Sequence, residues 1–151
     1  GSQRRDGYHN AMMAAGLKLF PELEYHEKFH SVSLGYNGMK KLLNLPNNER
    51  PTAVFMSNYE VALGVVMAMN EEGISCPDDV SLIGFDALTL TFVMKPRMTV
   101  MVQPMESIAS EAVRILMSRL KDKDQAALQR VLLYASLSEG DSVRNLRRAK
   151  K

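Results

Sequence analysis

Between Pro51 and Asp86 the chain reads PTAVFMSNYEVALGVVMAMNEEGISCPDDVSLIGFD, and this stretch restricts the fold more than any other. Thr52 to Met56 is a β-rich run bounded by Pro51 and Ser57, the pattern of a buried parallel strand. Ser57 and Glu60 form S-x-x-E, which predicts a capping box opening a helix. Along that helix Ala62, Val65, Val66 and Met69 make one apolar stripe, and Tyr59, Leu63 and Met67 make a second, rotated by roughly 100°. One sheet needs only one stripe, so the second faces either a neighbouring helix or a partner subunit. Gly73 stands at the usual C-cap position. Asp79 to Phe85 is the next strand and ends on Asp86. Strand, helix and strand make a βαβ unit, and ligands of open α/β sheets bind beyond the carboxyl ends of such strands.

The flanking segments extend the alternation. Tyr8, Met12, Ala15 and Leu19 recur at helical spacing, limited by Gly16 and Pro21. Leu23 to His30 predicts a short strand, and Ser33 to Leu45 a helix with Leu34, Met39, Leu42 and Leu43 inward. Ala87 to Met94 reads as an apolar loop and Thr99 to Val102 as another short strand. Pro104 opens a helix carrying Ile108, Ala112, Ile115, Leu116 and Leu120 on one face. Its acids come early and its bases late, matching the helix dipole. A polar turn over 121–125 leads to a last strand, Arg130 to Leu137. The expectation is an α/β, doubly wound, mainly parallel sheet with helices on both faces.

Bulk properties exclude several classes. A chain of 151 residues, 46% apolar, suits a single core. One cysteine, Cys76, rules out a disulfide framework or a CxxC site and suits a reducing compartment. No apolar run reaches membrane-spanning length, and no signal-peptide pattern opens the chain. Eleven methionines and no tryptophan point to an adaptable core. The net charge of +2 comes from the end of the chain: Arg144, Arg147, Arg148, Lys150 and Lys151 contribute five charges. Without them 14 bases face 17 acids. Residues 144–151 are expected to form a disordered basic tail.

Motifs for catalysis are lacking. There is no G-x-S-x-G, P-loop or G-x-G-x-x-G, and no cofactor is expected. His9, His26 and His30 lack metal-site spacing, so no metal is expected either. An enzyme is not the expected class.

Taken together, several short motifs resemble the effector-binding domain of the lactose-repressor and purine-repressor family of bacterial transcription regulators. They are Arg4-x-x-Gly7-Tyr8, Gly35-Tyr36, PTAVF at 51–55, Asn58 with Ala62-Leu63-Gly64, and Gly73-Ile74 with Pro77-x-Asp79-Val80-Ser81. Gly84-Phe85-Asp86, Pro96, Met98-Thr99-Val100, Gln103-Pro104, Ile108 and Ala112-Val113 continue the series. Order and spacing hold through nearly the whole chain, up to Ser142-Val143. The resemblance covers only the second half of a full member, which has an N-terminal helix-turn-helix, a hinge and two lobes closing on a small effector. It implies that residues 1–143 are the C-terminal part of this domain, within which 97–124 cross into the other lobe. The apolar face of the 104–120 helix then either folds back or packs on another copy.

By the same resemblance, Arg4, His30, Asn58 and Asp86 line the effector pocket, and Tyr59, Leu63, Met67, Phe92 and Met94 form a homodimer face. His30 stands where members often carry an aromatic ring, and Tyr59 where they usually carry aspartate. A carboxylate and an amide can exchange hydrogen bonds with sugar hydroxyls or base edges. Arg4 can bind hydroxyls or pair with Asp86. Structural roles compete: Asp86 accepting turn amides, Asn58 capping its helix, Arg4 frayed, His30 at the surface. The implied protein is a cytoplasmic repressor-type regulator, not membrane-bound. It binds a sugar or nucleobase-like effector and reaches operator DNA through the helix-turn-helix. The alternative is a periplasmic sugar-binding receptor of the same fold.

Overall fold

The computed structural model describes residues 2–27, 30–121 and 128–146. In chain order the elements are α1 (Ser2–Ala14), a 3-10 turn (Pro21–Leu23), α2 (Val32–Leu43), β1 (Ala53–Met56) and α3 (Tyr59–Glu72). They continue with β2 (Ser81–Phe85), α4 (Leu90–Val93), β3 (Thr99–Val102), α5 (Met105–Lys121) and β4 (Ser136–Ser138). The sheet order is β1-β2-β3-β4; the first two pairings are parallel and the third is antiparallel. This is the mainly parallel α/β sheet expected from the alternation of elements.

The core lies between the sheet and α3. Met56, Ala62, Val65, Met69, Leu82, Met98 and Val100 are buried there. Four methionines (Met39, Met56, Met69 and Met98) are among the core residues, so this unbranched side chain does fill the interior. On α3 the predicted inward stripe is buried apart from half-buried Val66, whereas Tyr59 and Met67 of the second stripe are exposed. Helices α2 and α3 meet backbone to backbone at two glycines. A Cβ on Gly64 would stand 2.0 Å from the Val32 carbonyl oxygen, and one on Gly35 would stand 2.1 Å from that of Val61.

Across the exposed rim of that seam, Tyr36 Oη donates to Glu71 Oε2 at 2.5 Å, and Lys40 Nζ bonds both Glu72 and Glu71. The bonds to Glu72 and then Glu71 push the Lys40 ammonium up, and those from Tyr36 and Lys40 hold the Glu71 carboxyl down.

Several boundaries differ from the sequence expectation. The Leu23 to His30 segment begins in a 3-10 turn, and Glu24 to Glu27 form no strand; residues 28–29 lie outside the described residues. Its side chains turn elsewhere: Glu24 is 2.6 Å from His9 Nε2, and Tyr25 packs against Gly38 beneath Lys41. Helix α2 starts earlier than expected because Ser31 is its N-cap, accepting from Leu34 N at 3.1 Å. The Ala87 to Met94 loop contains the short helix α4, with Leu90 buried while Phe92 and Val93 stand 81% and 76% exposed.

The last strand is Ser136–Ser138 instead of Arg130 to Leu137, since only those residues find a partner, on β3. Arg144, expected in the disordered tail, is tied down: its N–H donates to Ser81 Oγ at 3.1 Å and its Nη1 to the Asp78 carbonyl at 2.9 Å. Residues 147–151 lie outside the described residues. As expected, α5 is uncovered: it has no buried residue, and Met105, Val113, Leu116 and Leu120 are each more than half exposed.

Candidate functional site

Three adjacent parallel strands end side by side, and each is followed by a polar residue: Ser57 after β1, Asp86 after β2 and Gln103 after β3. This is the edge at which open parallel sheets take ligands.

At β2, Phe85 is the last strand residue and Asp86 turns the chain with φ +57°, the only non-glycine residue at positive φ among those described. Aspartate tolerates that conformation better than most residues. The Asp86 N–H donates to the Met101 carbonyl at 2.8 Å, and its Oδ2 accepts from Gln103 Nε2 at 2.8 Å. The carboxylate therefore points along the strand ends toward β3 and stays half-exposed. Because alanine has no share of aspartate's tolerance, Asp86→Gly should be more stable than Asp86→Ala by about 1 kcal/mol in urea denaturation. Equal stability would mean that the turn stores no strain.

At β1, the predicted capping box is shifted by one residue. Asn58, and not Ser57, is the N-cap of α3: its Oδ1 accepts from Val61 N at 3.0 Å. Ser57 is thereby released from the cap, and its hydroxyl lies 3.4 Å from His30 Nδ1 while its carbonyl accepts from Arg4 Nη1. The Arg4 guanidinium also lies over the Phe85 ring, 3.7 Å from Cζ to centroid.

Of the four residues expected in the pocket, Arg4 and His30 meet at Ser57, and Asp86 follows Phe85, the ring beneath Arg4, with its carboxylate on Gln103. His30 is exposed at its rim. Asn58 is adjacent, but its amide oxygen is committed to the helix cap, the structural role weighed against it. Arg4 and Asp86 do not form an ion pair; each has a different partner. Sequence reasoning missed Gln103 and Phe85 as members of the cluster. Gln103 carried a usable signal, since it follows β3 as Asp86 follows β2.

A groove of about 440 Å³ lies elsewhere, between α3 and the α4 segment, lined by Leu63, Val66, Leu90, Val93 and Met94 among others. Leu63 and Met94 of the expected dimer face line it, and exposed Tyr59, Met67 and Phe92 belong to the same face. No group of three or more metal-ligating side chains occurs among the described residues. Nor is any helix among them long and apolar enough to cross a membrane.

A family model described as a periplasmic binding protein-like domain matches residues 1–143. The chain is 33% identical over 144 residues to the probable HTH-type transcriptional repressor ExuR of Bacillus subtilis, covering 95% of this chain and 42% of that one. It is 36% identical over 141 residues to the probable opine utilization operon repressor of Rhizobium rhizogenes, covering 93% and 70%. Among solved structures, a LacI family transcriptional regulator from Lactobacillus casei with bound sucrose superposes with a TM-score of 0.78 at 29% identity. That match covers 95% of this chain and 51% of the other. The chain thus spans less than half the length of ExuR and about half that of the sucrose-bound regulator. It belongs to the periplasmic-binding-protein-like family, in the branch formed by the lactose-repressor and purine-repressor type of transcriptional regulator.

Proposed function

We propose that this chain is the ligand-sensing and dimerisation part of a repressor-type transcriptional regulator, and that a small polyhydroxylated effector binds at its strand ends. One observation carries the reading: a carboxylate and a carboxamide follow the ends of β2 and β3, the carboxylate half-exposed, and the Arg4 guanidinium of α1 is held at the end of β1. A sugar hydroxyl both donates and accepts, so it can satisfy such groups together. The α3–α4 groove carries Leu63 and Met94 of the expected dimer face, which suits a protein contact better than a sugar.

The relatives named above are regulators, which favours this reading over a periplasmic receptor and over an enzyme. In this reading the effector shifts the balance between two lobe arrangements of different DNA affinity. Operator DNA would be contacted by a helix-turn-helix outside this chain, in the cytoplasm, by a homodimer. Tyr59, Leu63, Met67, Phe92 and Met94 would form the two-fold contact, an arrangement in which one patch meets itself. Of residues 97–124, expected to cross into a second lobe, Met98 to Val102 pack in this sheet and 122–124 lie outside the described residues; α5 would belong with the second lobe, which its uncovered face supports.

A thermal-shift screen of glucose, sucrose, cellobiose and guanine on the full-length protein tests the site. At least one should raise the melting temperature, and Asp86→Ala should abolish that rise. A rise that survives Asp86→Ala would move the effector away from the strand ends.

A further inference from the structure

The proposed site holds a cation and an anion without pairing them, and the side chain beneath the cation is apolar. Arg4 belongs to α1, a helix with no buried residue among those described, yet Arg4 itself is half-buried. Its guanidinium is held by the ring of Phe85 and the carbonyl of Ser57. A planar guanidinium suits an aromatic face, which attracts it electrostatically and covers one side of it from water. Asp86, the next residue after Phe85, gives its carboxylate to Gln103 instead. A forked guanidinium binds a carboxylate better than it binds a lone carbonyl, so a carboxylate is the stronger kind of partner that Arg4 forgoes here.

We propose that Phe85 is a positioning residue: its ring holds Arg4 across the strand ends and away from Asp86, so both charged groups stay available to one ligand. The inference rests on the effector reading above and explains why the site need not break an ion pair before binding. Groups fixed beforehand in the bound arrangement cost less to order when the ligand arrives. The chemistry fits a neutral polyol, which can accept from Arg4 and donate to Asp86. A ligand carrying its own charge would satisfy one group and oppose the other.

The test needs no ligand. In the 15N-labelled protein the Arg4 Nε–H resonance, assigned by its disappearance in Arg4→Lys, should lie upfield from ring-current shielding. Phe85→Tyr should preserve that position and Phe85→Leu should lose it. Asp86→Asn should leave the resonance unmoved in the native background but displace it in Phe85→Leu, where the released guanidinium reaches the carboxylate. The proposal is overturned if Arg4 shows no upfield displacement, or if Asp86→Asn already moves it with Phe85 in place. Both outcomes can be read even if Phe85→Leu fails to fold. Glucose titration of the same sample separates the two ideas. Shielding without any response of Arg4 to glucose, sucrose, cellobiose or guanine would remove the effector reading and leave the positioning role standing.

Discussion

Gly64→Ala is expected to destabilise the protein by about 3 kcal/mol or more, because one methyl group has nowhere to go. Its Cβ would sit 2.0 Å from the Val32 carbonyl oxygen and 2.6 Å from the Tyr36 amide nitrogen. Both are backbone atoms of the α2 region, so no rotamer change can relieve the clash. The two helices must separate, and with them the seam that buries Leu34, Met39, Ala62 and Val65. Alanine's better helix propensity returns only about 1 kcal/mol. Gly7→Ala is the internal control, since a Cβ there meets nothing within 4 Å and gains the propensity alone. Urea midpoints of the two variants should move in opposite directions. A Gly64→Ala midpoint equal to the native one would disprove the close approach.

Ser142→Ala should cost about 2–6 kcal/mol, the sum of two orphaned backbone groups at about 1–3 kcal/mol each. Ser142 is 0% exposed. Its hydroxyl accepts from the Thr99 N–H at 2.8 Å and donates to the Leu82 carbonyl at 2.6 Å. Its own carbonyl accepts from the Leu82 N–H at 2.8 Å. One small side chain thus splices the starts of β2 and β3 from a segment some 40 to 60 residues later. Alanine fills the same space but can replace neither bond, and no water reaches a site this enclosed. Equilibrium unfolding checks it; a loss under about 0.5 kcal/mol would place the effect within ordinary surface variation.

What the sequence revealed and what it hid follow from the range of the interactions involved. The strand–helix–strand unit over Pro51 to Asp86 was legible because its signals are local: β-branched runs, apolar spacing and a glycine C-cap. Gly73 does end α3 in the left-handed conformation, at φ 66°. The N-cap was misplaced because Ser57 and Asn58 are adjacent and both competent. What separates them is the position of Arg4 and His30 around Ser57, and these lie 53 and 27 residues away in the chain.

Leu23 to His30 and Arg130 to Leu137 were both read as strands on composition. A strand needs a partner as well as a propensity. Over Glu24 to Glu27 the contacts to His9 and α2 prevailed, and in the last segment only Ser136–Ser138 pair with β3. The five bases clustered from Arg144 on give the composition of a tail, although the Arg144 backbone N–H donates to Ser81 Oγ. In the site, Asp86 stood out as an acid at a strand end. The Phe85 platform could not be found from sequence, because an aromatic ring on a strand reads as core until the arginine above it is seen.

Helix α5 bears on how tolerance to change should be interpreted along this chain. Among the described residues its apolar side chains are covered by little, so replacing Val113, Leu116 or Leu120 with lysine would barely alter how these residues fold by themselves. Any intolerance that a mutational scan of living cells recorded at those positions would then measure an association, read out through an element that its own chain does not require.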